Sequence, residues 1–284
     1  QNHPVRPDSF NQHFGSPRTF TVNMKIPEPD AGGMNDSHHR LSAVESQFRS
    51  VPFYGQIVLV FKKKAEDVSC PLTFADGYEL TQWTDAESIA SAMDLQGEYQ
   101  GENLRTVLTV LEKQGVGYSE VVKDAIIHTA GRMDFHGRWE KIYEHPDVIC
   151  DIGHNPPALT KNFAQLEGFL ACARYTRIII VYGVMKDKDL DGILPLMPLG
   201  AEYITVAPAS ARAMDADILF SRCQEGLAAR GLALEKVIRG GSVAEGVAIA
   251  MEMASNEPDS TLVYIGGSTF VVSEATEMFN SGRS

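Results

Sequence analysis

Basic residues are scarce in this sequence: 25 Lys and Arg face 37 Asp and Glu, a formal net charge of -12. A sequence-independent grip on nucleic acid needs a basic face, so that partner is excluded. A small anionic ligand is not, because a few placed arginines and backbone amides suffice locally. Cysteine is also sparse. The four, Cys70, Cys150, Cys172 and Cys223, have no CxxC or other metal-like spacing. Cys150 and Cys172 fall in expected strand and helix interiors, so buried reduced thiols and a cytoplasmic protein are expected. No apolar run approaches the roughly 20 residues that cross a bilayer, no signal-peptide pattern is visible, and no membrane partner is expected. Internal repeats are missing. Residues 1–55 sustain neither period 2 nor period 3.6, which predicts an irregular or disordered arm. Within it, His38 and His39 read as solvated side chains rather than metal ligands. The chain opens on Gln1 rather than Met, the expectation being a fragment or processed product.

What is present is core material. Hydrophobic residues make up 44% of 284, enough for one large or two ordinary domains. The chain is organised around Val148-Ile149-Cys150-Asp151-Ile152-Gly153-His154-Asn155-Pro156-Pro157. Its apolar start reads as a buried strand. Asn155 suits a helix N-cap and proline suits the first turn, where its missing N–H has no intrahelical partner. Leu159, Phe163, Leu166, Phe169 and Leu170 then share one helical face over 158–173. Asp151 and His154 therefore belong to a strand-to-helix turn at the carboxyl end of a strand, where open α/β sheets bind ligands. The plainer reading, an Asp and a His that cap a helix, stands beside it.

Upstream, Ile57–Phe61 reads as a strand followed by a short charged helix through Lys64 and Asp67, and 71–74 as another strand. A helix over 104–113 should turn Leu104, Val107, Leu108 and Leu111 inward, and 119–130 should form a second. Arg138 is either a surface cation stacked on Trp139 or one delivered to phosphate at a domain junction. Downstream, strands at 177–182, 202–206, 234–238 and 261–265 alternate with helices at 189–197, 213–229, 242–255 and 269–279. That order predicts a Rossmann-like α/β domain with a parallel sheet covered on both faces.

Three further strand ends carry polar residues: 183–189 with Lys188, 210–213 with Arg212, and Gly266-Gly267-Ser268. Each alone reads as a polar turn. Four turns on one sheet edge bearing Asp, His, Lys, Arg and Ser read as a site. The Gly-Gly-Ser turn offers free amides at a helix N-terminus, suited to an anion. It lacks GxGxxG spacing, which disfavours a nicotinamide enzyme.

The segments DLQGEYQGEN (94–103), HGRW (136–139), DIGHNP (151–156), YGVMKDKD (182–189), ARAMD (211–215) and GGSTFVVSE (266–274) together resemble the folate branch of the Mur ligase superfamily, folylpolyglutamate synthase and dihydrofolate synthase. The resemblance covers roughly residues 60–284. It implies an ATP-dependent ligase that phosphorylates a carboxyl of dihydropteroate or a folate and joins it to L-glutamate through the acyl phosphate, with ATP and Mg²⁺ as cofactors. By motif, Asn103, Arg138 and Asp151 would contact ATP, Asp151 by receiving the ribose or by ordering that region. Arg138, Asp151 and His154 would be catalytic, while His154, Ser268, Lys188 and Arg212 would hold substrate. The resemblance further implies a cytoplasmic protein, expected to be a monomer, with residues 56–137 the remnant of a central ATP-binding domain and 138–284 the C-terminal ligase domain. The family's Gly-rich phosphate loop ends in Gly-Lys, yet no Gly-Lys pair occurs anywhere in this chain. Its Mg²⁺ ligands are expected outside the sequence given, and the chain alone should turn over little ATP. Two alternatives are a non-catalytic module derived from the same domain and a peptidoglycan Mur-type ligase.

Overall fold

The structure, a computed structural model, describes residues 20–22 and 53–281. The expected arm, His38 and His39 included, lies outside the described residues except at 20–22 and 53–55. The chain divides into two compact units, one of Gln1–Ala90 with Gly101–Lys123, the other of Ser91–Gln100 with Asp124–Ser284.

In the first unit, strands β1 (Phe20–Val22) and β2 (Leu72–Phe74) pair in parallel. Ile57–Phe61, expected as a strand, lies inside helix α1 (Phe53–Asp67), a correction. Five apolar residues cannot distinguish period 2 from 3.6; here Ala65 turns inward while Leu59, Val60 and Phe61 stay exposed. Helix α2 spans Ala86–Ala92 and α3 spans Gln100–Lys113. On α3, Leu104 and Leu108 are buried one turn apart, which leaves Val107, expected inward, exposed on the flank. Arg105 on the same helix ties down the carbonyls of Ala75, Asp76 and Tyr78.

The helix expected over 119–130 is two, α4 (Glu120–Ile127) and α5 (Thr129–Met133). The break has a cause in the Asp94 carboxylate, which accepts from the N–H groups of Ala130 and Gly131 at 3.0 and 2.9 Å and so starts a new helix there.

The second unit is built on six strands: β3 (Glu140–Tyr143), β4 (Asp147–Asp151), β5 (Arg177–Tyr182), β6 (Glu202–Ala207), β7 (Val237–Ser242) and β8 (Thr261–Gly266). Their order across the sheet is β3-β4-β8-β5-β6-β7, parallel except for the β3–β4 pair. Both faces are covered, as the near-continuous apolar runs require. Ile149, Ile178, Ile180, Tyr182, Leu262 and Tyr264 point to one face. There they meet helix α6 (Pro156–Ala171), the short α7 (Leu190–Ile193) and α8 (Ala216–Ala228). Val148, Cys150, Ile179, Val181, Val263 and Ile265 point to the other, against α9 (Val243–Ala254) and α10 (Thr269–Ser281). The mostly parallel α/β sheet is thus as expected.

Two boundaries differ. Residues 234–236 form a 3₁₀ turn, and β7 instead runs on through Gly240 and Gly241. A Cβ at Gly240 would lie 2.6 Å from Ile204 and 3.0 Å from the Gly246 backbone, so glycine there marks close approach rather than a strand end. Cys172, expected in a helix interior, caps α6 and is exposed; Cys150 and Cys223 are buried, and burial pushes the Cys223 thiol up to about 12.

Candidate functional site

Strand register brings three chain ends level. Asp151 on β4 pairs with Gly266 on β8, and Gly266 pairs with Tyr182 on β5. The loops that follow these strands therefore leave the sheet along one edge, joined by the loop after β6, whose Thr205 pairs with Tyr182.

Asp151 is almost fully buried and each carboxylate oxygen is taken twice. Oδ1 accepts from Gly153 N–H and Asn162 Nδ2, both at 2.7 Å. Oδ2 accepts from the Tyr99 hydroxyl at 2.6 Å and Trp139 N–H at 2.9 Å. A buried carboxylate is tolerable only with this degree of satisfaction. Of the two roles implied for Asp151, receiving a ribose or ordering its surroundings, four internal donors fit the second. Burial, followed by the Asp151 charge, pushes the Tyr99 phenol well above its usual range, and the Arg138 guanidinium nearby pulls the other way.

After Asp151 the chain turns through Gly153 to Asn155, whose Oδ1 caps α6 by accepting from Ala158 N–H at 3.0 Å. His154 Nδ1 lies 3.0 Å from the Ile152 carbonyl. A carbonyl can only accept, so Nδ1 carries a proton, and Nε2 is the ring nitrogen left without a partner from the Ile152 turn.

On the neighbouring strand, Gly267 adopts φ 90°. A Cβ there would sit 2.5 Å from the Tyr182 ring and 2.6 Å from the Gly183 carbonyl, so only glycine permits the turn. The turn delivers Ser268 to the N-terminus of α10, its buried Oγ accepting from Phe270 N–H at 3.2 Å. That leaves the hydroxyl proton free to donate.

The loops after β5 and β6 are zipped together. Lys186 N–H donates to the Arg212 carbonyl at 2.9 Å, Met214 N–H to the Val184 carbonyl at 2.9 Å, and Lys186 Nζ to the Ala211 carbonyl at 3.1 Å. Asp187 stands 3.5 Å from both Lys188 and Arg212. Its own backbone N–H, then these two cations, hold its carboxyl below the usual range.

His154, Lys188, Arg212 and Ser268 thus line one cavity of about 140 Å³, walled on its apolar side by Met185 and Phe270. Arg138 lies elsewhere in the same unit, its guanidinium 6.0 Å from the Phe135 ring centroid, while Trp139 is buried against Tyr264 and Phe169. The inert Arg138–Trp139 stack is therefore replaced by separate environments. Asn103 is exposed on α3 and belongs to the first unit. Sequence reasoning missed Tyr99, Asn162, Tyr264 and Asp187. A signal for Asn162 existed, since it stands next to Phe163 and one turn after Leu159 on the apolar side of the helix expected there; Tyr99 lay inside a segment singled out only for Asn103.

Among the described residues no group of three or more His, Cys, Asp or Glu side chains gathers to hold a metal ion. The residues present do not fit one, and no chemical step is assigned to it.

Residues 131–268 match the Mur ligase, glutamate ligase domain. Among curated proteins, the chain is 30% identical over 191 residues to a probable bifunctional folylpolyglutamate synthase/dihydropteroate synthase of Halobacterium salinarum, covering 66% of this chain and 21% of that protein. It is 32% identical over 92 residues to the Escherichia coli dihydrofolate synthase/folylpolyglutamate synthase, covering 32% and 20%. A solved Mycobacterium tuberculosis folylpolyglutamate synthase, complexed with ADP and AMPPCP, shares the fold with a TM-score of 0.53 at 23% identity, over 64% of this chain and 40% of that one. The chain spans about a fifth of the length of the curated relatives it matches. The second unit's sheet and helices thus carry the Mur ligase, glutamate ligase domain over residues 131–268. The chain is similar to part of folylpolyglutamate synthase/dihydrofolate synthase proteins.

Proposed function

We propose that this chain supplies the amino-acid-accepting part of an ATP-dependent ligase that adds L-glutamate to dihydropteroate or a tetrahydrofolate. The cavity of His154, Lys188, Arg212 and Ser268 is the observation that carries the reading. Two cations share one exposed carboxylate, Asp187, at 3.5 Å, so they retain charge for an incoming carboxylate. Ser268 and the α10 N-terminus add donors that suit the same group.

In this reading, glutamate binds through its carboxylates, and its amine must lose a proton before it attacks an acyl phosphate. His154 is arranged to take that proton, because Nδ1 is committed to the Ile152 carbonyl and Nε2 is left as the acceptor. Arg138 meets phosphate charge, and Asp151 holds the turn that presents it. Asn103 is assigned to the nucleotide by motif alone. Residues 56–137 belong, in this proposal, to the end of the ATP-binding domain and 138–284 to the ligase domain. Mg²⁺ ligands and the phosphate cradle come from elsewhere in the complete enzyme, and a cytoplasmic location follows from the substrates.

The test is a titration of the full chain with L-glutamate, followed by NMR at His154 and Ser268. Saturable shifts with an affinity of about millimolar, abolished by Lys188→Ala combined with Arg212→Ala, are expected. No shift at saturating glutamate contradicts the reading. A second reading, a binding module without catalysis, is favoured by the lack of any Gly-Lys pair. It predicts glutamate binding without ADP release even when the remaining ligase segments are supplied in trans.

A further inference from the structure

Arg138 is presented by a backbone that needs outside support. Its neighbours Gly137 (φ 74°) and Trp139 (φ 51°) both lie in the left-handed region. Trp139 bears a Cβ, so its conformation is strained and persists only where its surroundings impose it. They do so at three points. Gly137 N–H donates to Glu140 Oε2 at 2.8 Å, and its carbonyl accepts from Ile152 N–H at 2.9 Å. Trp139 N–H donates to Asp151 Oδ2 at 2.9 Å.

The last of these bonds is shared. The same Oδ2 receives the Tyr99 hydroxyl at 2.6 Å, so a phenol and the peptide that follows Arg138 hang from one oxygen. Oδ1 is fixed from within the domain by Gly153 and Asn162, whereas Tyr99 reaches Asp151 from the separate segment Ser91–Gln100. A phenol oxygen whose O–H donates to a carboxylate becomes a better acceptor for a neighbouring cation. The guanidinium is close enough to lower the phenol's resistance to ionisation, and Arg138 makes no ion pair among the described residues.

We propose that Tyr99 is a positioning residue for Arg138: its hydroxyl steadies the Asp151 carboxylate that holds the Gly137–Trp139 turn from which the guanidinium projects. The cation is thereby aimed without being neutralised. A carboxylate in place of the phenol would pair with Arg138 and compete with any anionic ligand. The functional consequence rests on the phosphate-binding role proposed above for Arg138; the coupling between the two residues does not.

Tyr99→Phe keeps the ring and removes the hydroxyl, and two measurements on the full chain read its effect. In ¹H–¹⁵N spectra the Arg138 Nε–H signal should move toward that of a freely rotating arginine. Binding of inorganic tripolyphosphate should weaken about tenfold, the lower end of what one hydrogen bond to a charged group contributes. It should add nothing further in an Arg138→Ala background, as expected of a residue that acts through another. An Arg138 signal unchanged by Tyr99→Phe overturns the proposal, as does full additivity of the two substitutions. A shifted signal in a wild-type chain that binds no tripolyphosphate supports the positioning and counts against the phosphate role instead.

Discussion

Asp151 accepts four hydrogen bonds while almost wholly removed from water, and no other residue type offers four acceptor sites in that volume. Asp151→Asn exchanges one acceptor oxygen for an N–H₂ that faces N–H donors. It should destabilise the second unit by about 3 kcal/mol, read by urea unfolding. Asp187 makes the opposite kind of contact, exposed and at 3.5 Å from each cation. Asp187→Asn should leave stability unchanged and tighten L-glutamate binding two- to threefold, by roughly the free energy of a surface pair. The same contrast explains what could be read at this scale. His154, Lys188, Arg212 and Ser268 were visible because each follows a strand on one edge. Tyr99 was not, because the carboxylate it serves lies far along the chain and no local pattern links them.

Elements carry their own signals with uneven clarity. The β4–turn–α6 passage was legible, since Asn155 and two prolines state where a helix begins. The start of α9 is as explicit: Ser242 and Glu245 form a reciprocal cap, and Ser242→Ala should cost about 1 kcal/mol in thermal unfolding. Helix α1 was illegible because Ile57–Phe61 satisfies either period. Elements also respond to pH. Asp147 opens β4; burial pushes its carboxyl up, but the Tyr175 hydroxyl at 2.5 Å and Lys141 at 2.9 Å more than offset this and hold it below the ordinary value. A lowered carboxyl stabilises the fold above its unfolded pKa, and that contribution is lost as pH falls through the folded value. Tyr175→Phe should therefore destabilise the fold at neutral pH, by an amount that fades as pH falls through the folded value, and raise the midpoint of acid unfolding, as followed by circular dichroism.

For the whole molecule, the acidic balance of -12 argues against a nucleic-acid grip, yet it hides a cavity in which Lys188 and Arg212 stand together. Composition averages over a surface and cannot report such a local reversal. The class of the sheet was legible from alternation alone; the place of β8 within it was not, because nothing in an apolar run names its neighbours. Gly267→Ala tests how far that sheet edge tolerates change. Its Cβ would meet the Tyr182 ring and the Gly183 carbonyl, so a loss of about 2 kcal/mol or more is expected in urea unfolding, together with loss of the glutamate-induced shifts at Ser268.

Of the six strands of this sheet, the latest in chain order occupies a middle position. β4 and β5 each bond to β8 and not to one another. A nascent polypeptide that has not yet reached Thr261 therefore has a slot in the centre of its sheet, two strands whose inner edges have no mate, and Asp151 without the Gly266 it pairs with. Assembly of the ligand edge is thus a non-local event that waits on residues 261–266. A chain released before them exposes sticky strand edges rather than a partly formed site.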